Sequence, residues 1–309
     1  MTVLVTGAGG FIASYLIPEL IDDGATVIGF DIAPQPSQLD GYGPALQWVR
    51  GDLGSSEDLY RLFLQYRPTH VVHLASILAG PCEANPIRGY KINFMSTAAL
   101  LDASLQVGVQ RFVMTSSISV FGKDVSEPVA DDAMKNPATV YGQTKLASEH
   151  LMRSYRDKHG LSVGAVRFPW VFGPGRERGI TALYSSKLLD AVARREPIRI
   201  DNPDETGDWL YVKDASRALR LLLSTKDNEQ VAYNIMGGVY SIREVMEVAA
   251  AIRPEAQIAF AESSGPASPY PSSYDDSRAK EELGWSPGYG IEDAVREHIE
   301  TVSMAPAKA

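Results

Sequence analysis

Val3-Leu4-Val5-Thr6-Gly7-Ala8-Gly9-Gly10-Phe11-Ile12-Ala13 decides the architecture of this chain. Val3 to Thr6 is a short apolar run closed by glycines, and an apolar helical pattern of Phe11, Ile12, Tyr15, Leu16 and Leu20 follows it. The order is strand, tight turn, helix. Such a turn brings backbone N–H groups and the positive end of a helix dipole to a phosphate. The spacing of Gly7, Gly10 and Ala13 follows T-G-x-x-G-x-x-[GA] rather than G-x-G-x-x-G, and Ala13 is small enough for close helix-strand packing. Glycines alone also fit a plain turn; their place after a first strand favours a dinucleotide.

The second strand, Thr26 to Phe30, ends in Asp31, where a carboxylate accepts hydrogen bonds from an adenosine ribose and repels a 2′-phosphate. No Lys or Arg precedes Arg50, so this first unit has nothing to neutralise such a phosphate, and the cofactor reads as NAD rather than NADP. A capping or loop acid is the other reading of Asp31. Gln47–Arg50, Thr69–Ala75, Arg111–Thr115 and Leu161–Arg167 read as further strands. Helical patterns over Ser55–Tyr66, Tyr90–Gln106 and the stretch following Pro137 alternate with them. This rhythm describes an α/β fold with a parallel sheet, helices on both faces and ligands at the carboxyl ends of the strands. His73, inside an apolar strand, reads as structural.

With 309 residues, 45% hydrophobic and 22% charged, the chain is long enough for one large or two modest domains. The formal net charge of −9 argues against nucleic acid or an anionic membrane as partner and leaves a small-molecule substrate. Cys82 is the only cysteine, so no intrachain disulfide forms. Without a basic leader or an apolar run of the ~20 residues that span a bilayer, a cytoplasmic location is expected. No metal site is read. Ser303 to Ala309 reads as a disordered tail.

Tyr141-Gly142-Gln143-Thr144-Lys145 supplies chemistry. Residues four apart share a helix face, so the Tyr141 phenol and the Lys145 ammonium lie together, and a nearby cation favours the phenolate. A surface pair at this spacing is the bland alternative. Ser117, after the fifth strand, sits where a hydroxyl faces the ligand crevice.

Taken together and in order, VTGAGGFIA, Asp31, GDL, HLA, Asn93 with Thr97, SSISVFG, YGQTK with Glu149, RFPWVFGPG, WLYVKDA, YNI and ELGW carry a family resemblance. Over nearly its full length the chain resembles the extended short-chain dehydrogenase/reductases, the NAD-dependent epimerase/dehydratase group. The resemblance implies a Rossmann-type doubly wound parallel sheet with a smaller C-terminal α/β substrate domain. The expected division gives residues 1–167, with a returning segment of about 208–235, to NAD, and 168–207 with 236–302 to substrate. It implies Tyr141 as catalytic acid/base, Lys145 on the nicotinamide ribose lowering the Tyr141 pKa, and Ser117 on the substrate oxygen. Gly7, Gly10, Phe11, Ile12, Asp31, Asp52, Leu53, Leu74, Ala75, Asn93 and Pro169 join Tyr141 and Lys145 as its cofactor-binding positions. Ser76, Ser119 and Thr181 join Ser117 and Tyr141 as its substrate-binding positions. Helices near 90–106 and 139–158 commonly pair such proteins into homodimers.

Sugar-nucleotide epimerases of this group hold a diphosphate with arginines. Gly207 stands where one is usual, and Pro254–Ser277 contains no Lys or Arg where a second is usual. HLASILAG, SSISVFG, YNIMGGVYS and PYPSSYDDSRAKEELGW are instead similar to the short-chain L-threonine dehydrogenases, while FPWVFGPGRERG is closer to the epimerases. The leading expectation is an NAD-dependent oxidoreductase acting on a secondary hydroxyl of a small polar substrate: a hydroxy amino acid such as L-threonine, a sugar acid or a sugar. A UDP-sugar 4-epimerase or dehydratase is the alternative, and a non-catalytic NAD-binding regulator a third. Arg176 and Arg178 read either as ligands for a substrate carboxylate or as solvated loop residues.

Overall fold

The computed structural model describes residues 1–225, 228–262, 268 and 270–305. The strands, in chain order, are β1 (Thr2–Thr6), β2 (Thr26–Asp31), β3 (Leu46–Arg50), β4 (His70–His73), β5 (Arg111–Ser117) and β6 (Val163–Phe168), then β7 (Trp170–Phe172), β8 (Ile198–Ile200), β9 (Thr206–Tyr211), β10 (Ala232–Asn234), β11 (Val239–Ser241) and β12 (Ile258–Phe260). Seven of them form one sheet in the order β10-β6-β5-β4-β1-β2-β3, with all neighbours parallel.

The period-2 alternation of strand side chains divides the core between two faces. Val3, Val5, Val27, Val72, Val113 and Val166 pack with Leu16, Ile17 and Leu20 of helix Ala13–Asp22 and with Leu219 and Leu222 of helix Val212–Ser224. Leu4, Ile28, Val71, Phe112 and Met114 turn the other way, against Leu59 and Phe63 of helix Ser56–Tyr66 and Leu100 and Leu101 of helix Ser96–Val107. Both faces are covered, as a parallel sheet requires. The chain reverses direction across the sheet between β1 and β4, and a crevice opens there at the carboxyl ends.

Smaller sheets stand beyond that edge: β11-β9-β7, with β9 parallel to β7 and antiparallel to β11, and the parallel pair β12-β8. Within the segment of about 208–235, β9 belongs to the small sheet, and helix Val212–Ser224 leads from it to β10 in the main sheet. Aromatic packing explains the assignment. Trp209 on β9 meets Trp170 and Phe172 of β7 edge-on, with ring centroids 5.9 and 5.4 Å apart.

Three other expectations shift. β4 ends at His73, and Leu74 and Ala75 lie in the loop beyond it. The helix expected over Tyr90–Gln106 is a π-helical segment, Tyr90–Met95, followed by the α-helix Ser96–Val107. Side-chain oxygens crowd the junction: Ser96 Oγ donates to Ile92 O at 2.5 Å and Thr97 Oγ1 to Asn93 O at 2.7 Å. The final helix, Ile291–Met304, includes Ser303 and Met304 of the expected tail, and Ser303 Oγ donates to Ile299 O at 2.6 Å. Residues 306–309 of that tail lie outside the described residues. Among the described residues no helix is long and apolar enough to cross a membrane.

A buried ionic knot ties the sheet to the loops around the crevice. Arg167 on β6 binds Glu149 through Nε and Nη2 at 2.9 and 2.8 Å, and its Nη1 donates to Asp131 O at 3.0 Å and Asn234 Oδ1 at 3.2 Å. Ser116 Oγ donates to Glu149 Oε1 at 2.5 Å. Burial alone raises the Glu149 carboxyl, but Arg167 and Ser116 outweigh it and hold it below the usual range. A depressed carboxylate stabilises above its unfolded pKa, and that contribution is lost as pH falls through the folded value. Removing one partner of a buried pair costs roughly 3–5 kcal/mol. Arg167→Ala should therefore lower the urea midpoint sharply at pH 7 and by less at pH 3; an unchanged midpoint at pH 7 refutes this role.

Candidate active site

The glycine turn is built for close approach. Gly7 has φ +69°, and a Cβ there would lie 2.8 Å from Ala75 N and Cα; one on Gly10 would lie 2.9 Å from Gly7 O. Gly9 and Gly10 are exposed at the head of helix Ala13–Asp22, leaving an open, side-chain-free cradle fit for a pyrophosphate. Asp31, at the end of β2, accepts from Gly9 N at 3.0 Å through Oδ2 and from Ala33 N at 2.9 Å through Oδ1. Its carboxylate therefore stands beside the turn. Phe11 and Ile12 continue the turn, half-buried, with the Phe11 ring edge-on to Tyr15 at 6.0 Å. Asp52 and Leu53 follow β3, Asp52 exposed with its Oδ1 accepting from Gly54 N at 2.8 Å. Half-buried Pro169 joins β6 to β7.

Asn93 is only 3% exposed. Its Oδ1 accepts from Ile77 N at 2.8 Å, and its Nδ2 donates to Ile77 O at 3.0 Å and Thr144 Oγ1 at 3.3 Å. It thus ties the π-helical segment and the loop after β4 to the helix carrying Tyr141. His73 is structural, held between Thr6 Oγ1 at 2.7 Å and Thr97 Oγ1 at 3.0 Å, and burial drives its pKa down to about 3. Cys82 is fully buried, and burial raises its thiol above the ordinary value, which disfavours a nucleophilic thiolate.

Tyr141 and Lys145 lie on helix Val140–His159, capped by Thr139, whose Oγ1 accepts from Gly142 N at 3.1 Å. That helix runs against the turn after β5. A Cβ on Gly142 would lie 2.1 Å from Ser119 O, so only glycine lets Tyr141 reach the serines. Lys145 Nζ stands 5.6 Å from the centroid of the Tyr141 ring and donates to Thr115 O at 2.8 Å. Ser117 Oγ donates to Ser119 Oγ at 3.0 Å, and the hydroxyls of Ser117 and Ser76 stand near enough to the Tyr141 phenol to favour its ionised form. The sequence-expected set of Ser76, Ser117, Ser119, Tyr141 and Lys145 is thus one cluster at the ends of β4 and β5.

Lys145 is expected to lower the Tyr141 pKa, but burial is the larger effect on the phenol. It pushes Tyr141 up to about 12, and the two serine hydroxyls offset only part of that. Lys145 is itself pushed down to about 8 by burial.

The loop after β7 brings in a group that sequence reading left undecided. Arg176 Nη2 donates to Thr181 Oγ1 at 2.5 Å, while its Nη1 is buried with no hydrogen-bond partner. Burial lowers its pKa to about 10, opposed by the nearby Tyr141 hydroxyl. Arg178 is exposed. Tyr270, from the PYPSSYDDSRAKEELGW stretch, also acts on Tyr141 electrostatically. Among the described residues no group of three or more His, Cys, Asp or Glu side chains is placed to hold a metal ion.

A doubly wound sheet, a glycine cradle with an acid beside it, and a buried Tyr-Lys-Ser cluster across the switch point are the features of a dinucleotide-binding protein of the short-chain dehydrogenase/reductase type. Residues 3–236 match the model of the NAD dependent epimerase/dehydratase family, and the chain belongs to that family, whose cofactor is NAD. A curated UDP-glucose 4-epimerase of Azospirillum brasilense is 29% identical over 311 residues, covering 95% of this chain and 89% of that protein. A UDP-glucose 4-epimerase of Thermotoga maritima, solved with UDP-glucose, superposes with TM-score 0.86 at 26% identity, covering 97% of this chain and 98% of that one. A GalE-like L-threonine dehydrogenase of Cupriavidus necator in its holo form superposes with TM-score 0.88 at 26% identity, covering 98% and 100%.

The elevated phenol has a direct optical consequence. The tyrosinate difference spectrum between the ligand-free protein and Tyr141→Phe should stay flat up to about pH 10; a titration between pH 6 and 8 contradicts the burial argument.

Proposed function

We propose that this protein is an NAD-dependent dehydrogenase that oxidises a secondary hydroxyl of a small, polar, non-nucleotide substrate: a hydroxy amino acid such as L-threonine, a sugar acid or a sugar. The observation that carries this reading is at Gly207. A Cβ there would lie 2.8 Å from three carbons of the Trp170 ring, so the position where epimerases place a diphosphate-binding arginine is filled by an indole. Pro254–Ser277 adds no cation. A diphosphate left without charge-assisted partners on its way out of water is poorly held.

In this reading the glycine turn with Phe11 and Ile12 holds the pyrophosphate and Asp31 the adenosine ribose. Asp52, Leu53, Leu74, Ala75 and Pro169 line the cofactor, and Asn93 braces the loop beside it. Lys145 reaches the nicotinamide ribose, exchanging its bond to Thr115 O. Ser76, Ser117, Ser119 and Thr181 face the substrate. The substrate hydroxyl gives its proton to the Tyr141 phenolate while Ser117 hydrogen-bonds the developing alkoxide; the carbinol C–H bond breaks with its electron pair and C=O forms. NAD, when bound, accepts that pair as hydride. The phenolate requirement makes oxidation faster as pH rises, with the Lys145 cation lost at the alkaline end.

The same proposal assigns 1–167 with the return through β10 to cofactor and the small sheets to substrate. It pairs two copies across the helices flanking exposed Ile87, Tyr90, Met95 and Leu105, and places the enzyme in the cytoplasm. The second reading, a UDP-sugar 4-epimerase, is favoured by the names of the curated relatives and uses the same Tyr, Lys and Ser; it differs in keeping the ketone and returning the hydride.

Incubation with NAD and a panel of hydroxy acids, hydroxy amino acids and polyols should produce NADH at 340 nm with at least one member. Tyr141→Phe should lower that rate by roughly 10³-fold. Absence of NADH from the whole panel counts against a dehydrogenase.

A further inference from the structure

Arg176 carries more than its family resemblance accounts for. A guanidinium has five N–H donors in a fixed fork and stays charged, so a buried one with an idle nitrogen is costly unless something completes it. Here Nη2 is fixed by Thr181 Oγ1 at 2.5 Å and Nη1 is buried without a partner. The guanidinium packs close to Gly179, whose Cβ position lies 3.8 Å from Nη2, and it is near enough to Tyr141 for the two to act on each other electrostatically. The loop is anchored at both ends: Arg176 N donates to Gly173 O at 3.4 Å, and Tyr15 Oη to Pro174 O at 3.0 Å.

A Cβ on Gly179 would lie 3.1 Å from Leu78 Cδ1, two residues after Ser76, so the Arg176 loop packs against the loop that carries Ser76. Tyr141 and Arg176 act on each other electrostatically. A carboxylate also borders the start of the Tyr141 helix: Glu83 Oε1 accepts from Val140 N at 2.6 Å.

We propose that Arg176, positioned by Thr181, binds the carboxylate of the substrate through Nη1, and that the substrate is a hydroxy acid, oxidised to the corresponding oxo acid. This rests on the dehydrogenase reading and narrows it: substrates that carry a carboxylate, hydroxy amino acids among them, are favoured over neutral sugars. A carboxylate on the fork forms charge-assisted bonds and removes the cost of the idle donor.

The test is a nested substrate series with wild type, Arg176→Met and Arg176→Lys: the stereoisomers of 2,3,4-trihydroxybutyrate, their amides, the matching tetritols, and L-threonine. In wild type the acids, L-threonine included, should exceed the amide and the tetritol in kcat/KM. Arg176→Met should raise KM for the acid roughly 100-fold and bring the acid-to-amide ratio near one, with part of the preference restored in Arg176→Lys. An unchanged acid-to-amide ratio in Arg176→Met overturns the proposal. If no compound yields NADH, the dehydrogenase reading fails on its own terms, and calorimetric titration of the NADH-loaded protein with 2-oxobutyrate decides the anchor separately. Saturable binding lost in Arg176→Met supports it; no saturable binding in wild type overturns it. Should Arg176→Met fail to fold, the Arg176→Lys ratios carry the same decision.

Discussion

Everything chemical in this molecule depends on how closely one helix approaches one turn. Helix Val140–His159 passes so near the Ser117–Ser119 turn that a single added carbon at Gly142 would fall 2.1 Å from Ser119 O. That approach sets Tyr141 against the hydroxyls of Ser117 and Ser76 and drives Lys145 into the sheet edge, where it donates to Thr115 O. The contact is held from outside by Arg167, which clamps Glu149 of the same helix to β6, and by Asn93, which ties Thr144 to the π-helical segment.

The same closeness sets the resting chemistry. Burial that assembles the cluster also disfavours charge on both its titratable members, raising Tyr141 and lowering Lys145. The site therefore leans neutral. The cradle at Gly7, Gly9 and Gly10 and the idle nitrogen of Arg176 flank it, one fit for an anionic cofactor and the other for an anionic substrate.

Much of this was legible in the residues. The alternation of Val3, Leu4 and Val5, the glycines after Thr6 and the apolar face of the following helix have local causes, so sheet and turn could be read directly. The Tyr141–Lys145 spacing is likewise a property of one helix. What escaped was set by contacts between distant segments. Trp170 filling the space beside Gly207 joins residues far apart in the chain, as does the partnership of Arg176 with Tyr141. The π-helical turn at Tyr90–Met95 depends on where Asn93 finds Ile77, which no helical periodicity encodes. At Tyr141, spacing shows a neighbouring charge but not the burial that raises the phenol.

The central claim is the proposed one, that a small anion-binding pocket stands here where the epimerases hold a diphosphate. Calorimetric titration of the NAD-loaded protein with UDP tests it most directly. The account predicts no saturable binding tighter than about 1 mM. A dissociation constant of about 10 μM or lower would contradict it and return the protein to the sugar-nucleotide enzymes.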